Sequence, residues 1–370
     1  MKREILVVGG GIGGLASAIS LSRAGHAVTV IERDPDWTVY GVGIIQQSNV
    51  VRAMDELGVL DRFLDAAFGF DAVEIYTPDG TRVARVPSPR LVEGKPANVG
   101  IGRPALQKVL ADTARELGAV VRLGITVATL EDDGSQVHVT FSDGSAAAYD
   151  LVVGADGVYS QIRGLILPDA EKPAYTGQAV WRYNLPRPAD LDALRTYNGQ
   201  IGVGLVPMSE PVMYMFVTTP EPDNPRYPVE GLAARMREKV QGCAPVIREL
   251  AEHFTDDAAV VYRPLEGMLV TGPWHKGRVV LLGDAVHATT PHLGQGAGMA
   301  IEDAIVLADE LCRNADLEQA FDAYRARRFD RCSYIVNQSL AICFGQLGKG
   351  PLVDMHAATA GMFATVAQPI

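Results

Sequence analysis

Gly9-x-Gly11-x-x-Gly14 stands between two short apolar runs at the start of the chain, and no other feature narrows the possible folds as much. Ile5-Leu6-Val7-Val8 reads as a buried parallel strand ended by glycines. Leu15 to Ala24 reads as a helix stopped by Gly25, and Val28-Thr29-Val30-Ile31 as a second strand that closes with Glu32 and Arg33. The result is a βαβ unit of about 30 residues with an acid at the end of its second strand. In such a unit Gly9 makes the turn, Gly11 lets the backbone approach a pyrophosphate, and Gly14 lets helix and strand pack closely. Free amides at the helix start, those of Ile12 and Gly13, receive the phosphate charge. Glu32 is placed to accept hydrogen bonds from an adenosine ribose. The competing reading is a glycine turn that is only structural.

Two further glycine-bearing segments follow in a fixed order. Gly154-Ala155-Asp156-Gly157, with Ser160 and Arg163, comes after the buried run Leu151-Val152-Val153. Gly283-Asp284-Ala285-Val286-His287 comes after Val279 to Leu282 and leads through Pro291 to Gly294-Gln295-Gly296. A carboxylate at either place suits the hydroxyls of a sugar-like chain. Amides of Ala297 and Gly298, at the start of the next helix, suit a developing negative charge. Each aspartate alone reads equally well as a helix cap. Together the three segments imply that distant parts of the chain converge on one long cofactor.

At 370 residues, with 48% hydrophobic and 21% charged residues, the chain can fill a large core and is not disordered. A net charge of −11 argues against a nucleic-acid surface, which needs a basic patch. The four cysteines, Cys243, Cys312, Cys332 and Cys343, form no C-x-x-C pair and read as idle thiols, so no metal site is expected. No signal peptide or membrane span is read, and a cytoplasmic protein is expected. Ala72 to Val86 reads as a hairpin about Asp79-Gly80, and Arg103 to Leu117 as a helix. From about Tyr175 to Tyr262 the texture is β-rich, with helices at Leu232 to Lys239 and Ala244 to His253. The expected fold is α/β: a Rossmann-like, discontinuous cofactor domain (1–71, 98–174 and 264–340), a β-sheet-based substrate domain (72–97 and 175–263), and a C-terminal helical tail (341–370).

The set of motifs resembles the single-component FAD-dependent aromatic hydroxylases with the fold of p-hydroxybenzoate hydroxylase. Within them it looks most similar to the salicylate, 6-hydroxynicotinate and urate hydroxylase group. The segment around Asp156 and Arg163 resembles that family's D-G motif, and Gly283-Asp284 with His287 and Pro291 resembles its G-D motif. Gly102-Arg103-Pro104 is similar to the family's segment whose arginine reaches the FAD backbone. The resemblance implies FAD as cofactor, held by Gly9, Gly11, Ile12, Gly13, Gly14, Glu32, Arg33, Gly43, Arg103, Val127, Asp156, Arg163, Asp284, Gly294, Gly296, Ala297 and Gly298. One departure is that many members carry Asn where this chain has Gly298, which keeps the amide and loses a side-chain contact. No second G-x-G-x-x-G is present for a nicotinamide cofactor, as in that family.

The resemblance further implies that NAD(P)H reduces FAD, that O₂ adds at the flavin C4a position, and that the hydroperoxide passes an oxygen to an electron-rich ring. A small aromatic or N-heteroaromatic substrate is expected, with no nucleic-acid partner and a monomeric or homodimeric chain. Pro291 is expected beside the flavin near the oxygen site, although it also reads as the start of a helical turn. Tyr214, in Val212-Met213-Tyr214-Met215-Phe216, either touches substrate or is a core tyrosine. Arg182, in Trp181-Arg182-Tyr183, either pairs with a substrate carboxylate or faces solvent. His287 and His292 read as a possible base or, more simply, as structural hydrogen-bonding groups. Two other functions stay open: an oxygenase acting on a larger polycyclic or isoprenoid substrate, and a flavoprotein electron carrier. Pocket size separates the first, and substrate-stimulated NAD(P)H oxidation the second.

Overall fold

Strand Glu4–Val8 is the centre of a six-stranded sheet in a computed structural model that describes residues 2–370. Parallel to it on one side run Ala27–Glu32 and Val120–Leu123, and on the other Leu151–Gly154 and Val279–Leu281, with His275–Lys276 turning back antiparallel at the edge. Ile5, Leu6, Val7, Leu151, Val152 and Val153 are wholly buried, as strands covered on both faces must be. Helix Ile12–Arg23 packs on helix Gly296–Arg313, so the first and third glycine motifs open neighbouring helices. The first helix starts at Ile12, before the Leu15 that its apolar run suggested, because the glycines of the motif are themselves helical.

Two smaller three-stranded sheets flank this layer. The hairpin about Ser142–Ser145 joins Val137–Phe141 to Ala146–Tyr149, with Val127–Asp132 on its far side. The other sheet runs in the order Gly43–Gln46, Asn98–Gly102, Ala67–Phe70, and none of its strands was read from the sequence. Glycine weakens strand propensity, but here it is required by packing. A Cβ on Gly100 would run into the carbonyl of Pro207, at the end of a strand of the larger sheet.

That larger, seven-stranded sheet runs in the order Val261–Gly267, Ala174–Pro186, Val212–Pro220, Gly202–Pro207, Leu194–Tyr197, Ala72–Tyr76, Arg82–Pro87. The hairpin Ala72–Tyr76/Arg82–Pro87 therefore joins the strands from residues 174–267 through a parallel pairing with Leu194–Tyr197. Side chains alternate across a strand. Trp181, Tyr183, Met213, Met215 and Val217 point to one face and form a separate core with helices Leu232–Lys239 and Pro245–Ala251. Arg182, Tyr214 and Phe216, one residue out of step, point to the opposite face, toward the cofactor domain.

Helix Leu317–Gln346 runs without a break through residue 341. The tail expected to begin there instead starts inside this helix, and the separate last helix is Met355–Ala367. No helix among the described residues is long and apolar enough to cross a membrane.

Candidate active site

The end of the cleft built by the first motif is shaped by close packing. Gly9 has φ +110°, and a Cβ there would press on the carbonyl of Ala155. Gly14 lies against the carbonyl of Gly9. Gly11 has open space where a Cβ would stand, and with Ile12 and Gly13 it lines the cleft. Gly11 caps the helix without a side-chain bond, so the first helical amides stay available. Glu32 accepts from the amides of Gly10 (2.9 Å) and Asp34 (3.0 Å), while Trp37 Nε1 donates to the Gly10 carbonyl (2.9 Å). Arg33 is exposed beside this corner and does not line the cleft.

Several expected cofactor contacts have other work. Asp156 caps helix Gln161–Ile166: Ser160 Oγ donates to it at 2.5 Å and the amides of Gln161 and Ile162 at 2.7 and 3.0 Å. Arg163 is buried and donates to the carbonyls of Ala285 (2.9 Å) and Val158 (3.0 Å), tying the second motif to the third. Val127 is buried, and its carbonyl accepts from Gln161 Nε2 at 2.9 Å. Gly43 faces Met208 and the ring of Tyr214, which a Cβ would strike. Gly298 is backed by Gln295, Val50 and Asn49, with Gln295 Oε1 3.0 Å and Asn49 Nδ2 3.1 Å from a Cβ position. None of these five lines the cavity.

The third motif is suspended on buried charge. Gly283, with φ +62° and ψ −142°, donates its amide to Asp303 Oδ2 at 2.9 Å. His287 Nε2 reaches the same oxygen at 2.5 Å, and Arg328 Nε donates to Oδ1 at 2.8 Å. Burial alone would raise the Asp303 carboxyl, but His287 and Arg328 outweigh it and hold the group down at about 2. Against the pull of burial, Cys332 and the Asp303 carboxylate hold His287 well above the ordinary imidazole value. His287 is thus a structural partner behind the turn.

Between the two large sheets lies a cavity of about 450 Å³. The structure brings to it Gly11, Ile12, Gly13, Arg103, Arg182, Tyr214, Asp284, Pro291, Gly294, Gly296 and Ala297. Gly296 and Ala297 open their helix toward it, and Pro291 begins the single turn Pro291–Leu293 at its wall. Arg103, first residue of helix Arg103–Glu116, has a buried Nε with no protein partner, and burial lowers its pKa. Asp284 is exposed to the cavity; the protein packed around it raises its carboxyl, with His287 and Arg103 opposing. Burial, and then the repulsion of Arg103, bring Arg182 down to about 10. Burial raises the Tyr214 phenol, which Arg182 and Arg103 oppose.

The cavity also takes in His292, which the sequence left open between a base and a structural group, and several residues that the sequence did not single out. His292 sits on it with Nδ1 2.9 Å from Thr290 Oγ1 and Nε2 3.1 Å from Gln346 Oε1. Burial carries its pKa down to about 4, with Gln346 pushing the other way. Arg263 stands at the mouth, its Nε donating to the Tyr40 hydroxyl at 2.7 Å and its guanidinium 4.3 Å from that ring. Alternation along Val261–Gly267 was the available signal for Arg263. Met355, Thr359 and Met362 of the last helix also line the cavity, with no sequence signal beyond an apolar stretch.

Neighbouring helix N-termini opening on one trench, a glycine-lined floor at Gly11, and an orphaned guanidinium nitrogen on Arg103 fit a long anionic cofactor carrying a flat ring. This is the architecture of a flavin-binding oxidoreductase. The chain belongs to the family described as FAD binding domain, which it matches over residues 2–339. It is similar to the putative FAD-dependent monooxygenase YetM of Bacillus subtilis (strain 168), 34% identical over 94% of this chain and 95% of that protein. It is also similar to 6-hydroxynicotinate 3-monooxygenase of Bordetella bronchiseptica, 30% identical over 97% and 99% of the two chains. The crystal structure of Klebsiella pneumoniae HpxO with FAD and uric acid superposes with a TM-score of 0.83 at 28% identity, covering 98% of this chain and 92% of that one.

Proposed function

We propose that this flavoprotein monooxygenase uses NAD(P)H and O₂ to hydroxylate a small aromatic or N-heteroaromatic ring that carries a negative charge. The observation that carries the anionic character is Arg182. Its guanidinium opens into the cavity, and the charged groups acting on it are Arg103 and Arg263, which repel it, with the phenols of Tyr214 and Tyr40. No carboxylate answers it. Arg182 is half-buried on the cavity wall with two like charges near it, and a guanidinium so placed suits an anion arriving with the ligand.

FAD, once reduced, supplies the activation of O₂. The residues that would hold it are the helix start at Gly11–Gly13, Glu32, Arg103, Asp284 and the amides of Gly296 and Ala297. The chain does the rest. Arg182, with Arg263 at the mouth, orients an anionic ring, while Val180, Tyr214 and Phe216 form the ceiling that keeps water off it. His292 is neutral near pH 7. With Nε2–H donating to Gln346 Oε1, Nδ1 accepts from the Thr290 hydroxyl and holds that hydroxyl in place, its oxygen free to accept from a ring hydroxyl.

The test is NAD(P)H oxidation by the FAD-loaded protein with hydroxybenzoates, hydroxypyridine carboxylates and their uncharged amides. Stimulation by the acids, lost in Arg182→Met while FAD stays bound, is expected. Equal response to acids and amides sinks the anionic reading, and no response to any ring sinks the hydroxylase reading.

A further inference from the structure

Helix Met355–Ala367 places Met355, Thr359 and Met362 on the cavity wall. Spacings of four and three residues put all three on one face of a helix. The helix also touches strand Arg82–Pro87 and helix Ser48–Glu56, so it bridges the two large layers at the side of the cavity. Val73, on the strand next to Arg82–Pro87, pairs in register with Val86 and lines the same cavity. Met355 and Thr359 thus belong to the substrate-sheet end, away from the glycine floor at Gly11, while Met362 Sδ accepts from Gln295 Nε2 at 3.5 Å beside the start of the helix that opens at Gly296.

The helix is fixed at its far end by arginines that take up carbonyls left without helical partners. Arg52 donates to the carbonyls of Val366 and Ala367 (3.2 Å each), and Arg331 to those of Gln368 (2.7 Å) and Pro369 (2.8 Å). Arg331 also holds both oxygens of buried Glu302 at 3.0 Å, on the helix that starts at Gly296. At its near end Asp354 caps the helix through the amides of His356 and Ala357. An element anchored at both ends presents its inner face in a fixed place. Two of the three inner residues are methionines, whose unbranched thioethers pack well on flat aromatic rings.

Building on the aromatic-substrate reading above, we propose that this helix is a wall of the substrate site and that Met355, Thr359 and Met362 set the size of ring system admitted. Shortening a methionine makes room for a second fused ring, and enlarging Thr359 takes room away.

The experiment uses FAD-loaded protein and reads binding from the perturbation of the flavin spectrum. Salicylate is the one-ring probe and 1-hydroxy-2-naphthoate the two-ring probe, and FAD affinity and melting temperature are measured alongside. Met355→Ala and Met362→Ala should shift the affinity ratio toward two rings by about tenfold, the effect of small volume changes in an apolar pocket. Thr359→Phe should shift it the opposite way, and FAD affinity should hold in Met355→Ala and Thr359→Phe. Opposed shifts are not produced by general loosening of the fold. If both probes bind and the ratio is the same in every variant, the proposal falls alone. If neither probe perturbs the flavin of the unaltered protein, the aromatic-substrate reading falls and takes the proposal with it.

Discussion

The amide of Gly283 donates to Asp303 Oδ2 across 2.9 Å, and through that bond the turn carrying Asp284 hangs on a buried charge network. Gly283 occupies φ +62°, ψ −142°, a conformation open essentially to glycine alone, and a Cβ there would stand 3.0 Å from that of Ala300. The strain is held by Asp303, which also takes His287 and Arg328.

Asp303→Asn should therefore be severe despite its unchanged shape. It leaves buried His287 without its carboxylate and Arg328 with Glu302 alone (2.7 Å), a loss of about 3–5 kcal/mol for a broken buried pair. A fall in denaturation midpoint together with loss of bound FAD is the expected result. The pH dependence follows from the depressed carboxyl. The contribution of Asp303 is fully present above its unfolded value near 3.8 and is lost as pH falls toward about 2. Urea unfolding of wild type and variant between pH 2 and 5 checks this: the gap between them should close at the acid end.

The two motif aspartates should separate cleanly. Asp284 faces the cavity, and Asp284→Ala should cost at least about tenfold in FAD affinity, the equivalent of one charge-assisted hydrogen bond. Asp156 is a cap, and Asp156→Ala should cost about 1 kcal/mol of stability with FAD affinity nearly kept. Fluorescence titration of each apoprotein with FAD decides it. Equal loss of affinity in both would restore Asp156 to the cofactor.

These aspartates also show what the sequence made legible. A carboxylate ahead of free amides serves a ligand or a helix start equally well, so only the fold separates Asp156 from Asp284. Arg182 and Tyr214 were easier, because alternation along apolar strands leaves a lone polar side chain pointing to the other face. The strands Gly43–Gln46 and Asn98–Gly102 were hidden by glycines whose purpose is a contact with distant Tyr214 and Pro207. Met355, Thr359 and Met362 lie in a helix with no polar stripe, since its exposed face is largely alanine (Ala357, Ala360, Ala364), and periodicity had nothing to report.

His292 gives a second pH signature. Its pKa is lowered to about 4 in the folded chain, below the ordinary imidazole value of 6.5. The unfolded chain binds the proton first, so stability should decline as pH falls from about 6.5 toward 4, and His292→Gln should flatten that decline. Turnover of the unaltered enzyme should show no limb from this histidine between pH 6 and 8, where it is already neutral. Thermal melts between pH 4 and 7 and kcat profiles between pH 6 and 8 test the two parts, and a turnover limb near 6.5 that vanishes in His292→Gln would contradict the assignment.

Gly100 tests the joint between the small sheet and the substrate ceiling. Its missing side chain lets Asn98–Gly102 lie against the carbonyl of Pro207, at the end of the strand beside the one carrying Tyr214. Backbone cannot swing aside as a side chain does, so Gly100→Ala should force the layers apart and cost about 1–3 kcal/mol, the range for overpacking. Because Val206 pairs with Tyr214 across that strand, the displacement should reach the cavity. Ligand affinity should fall more than FAD affinity, since the cofactor's anchors at Gly11–Gly13 and Gly296 belong to the other layer. Gly118→Ala, a helix-end glycine with φ +89° and open space around it, is the matched control: it should lose stability from backbone strain while both affinities stay unchanged.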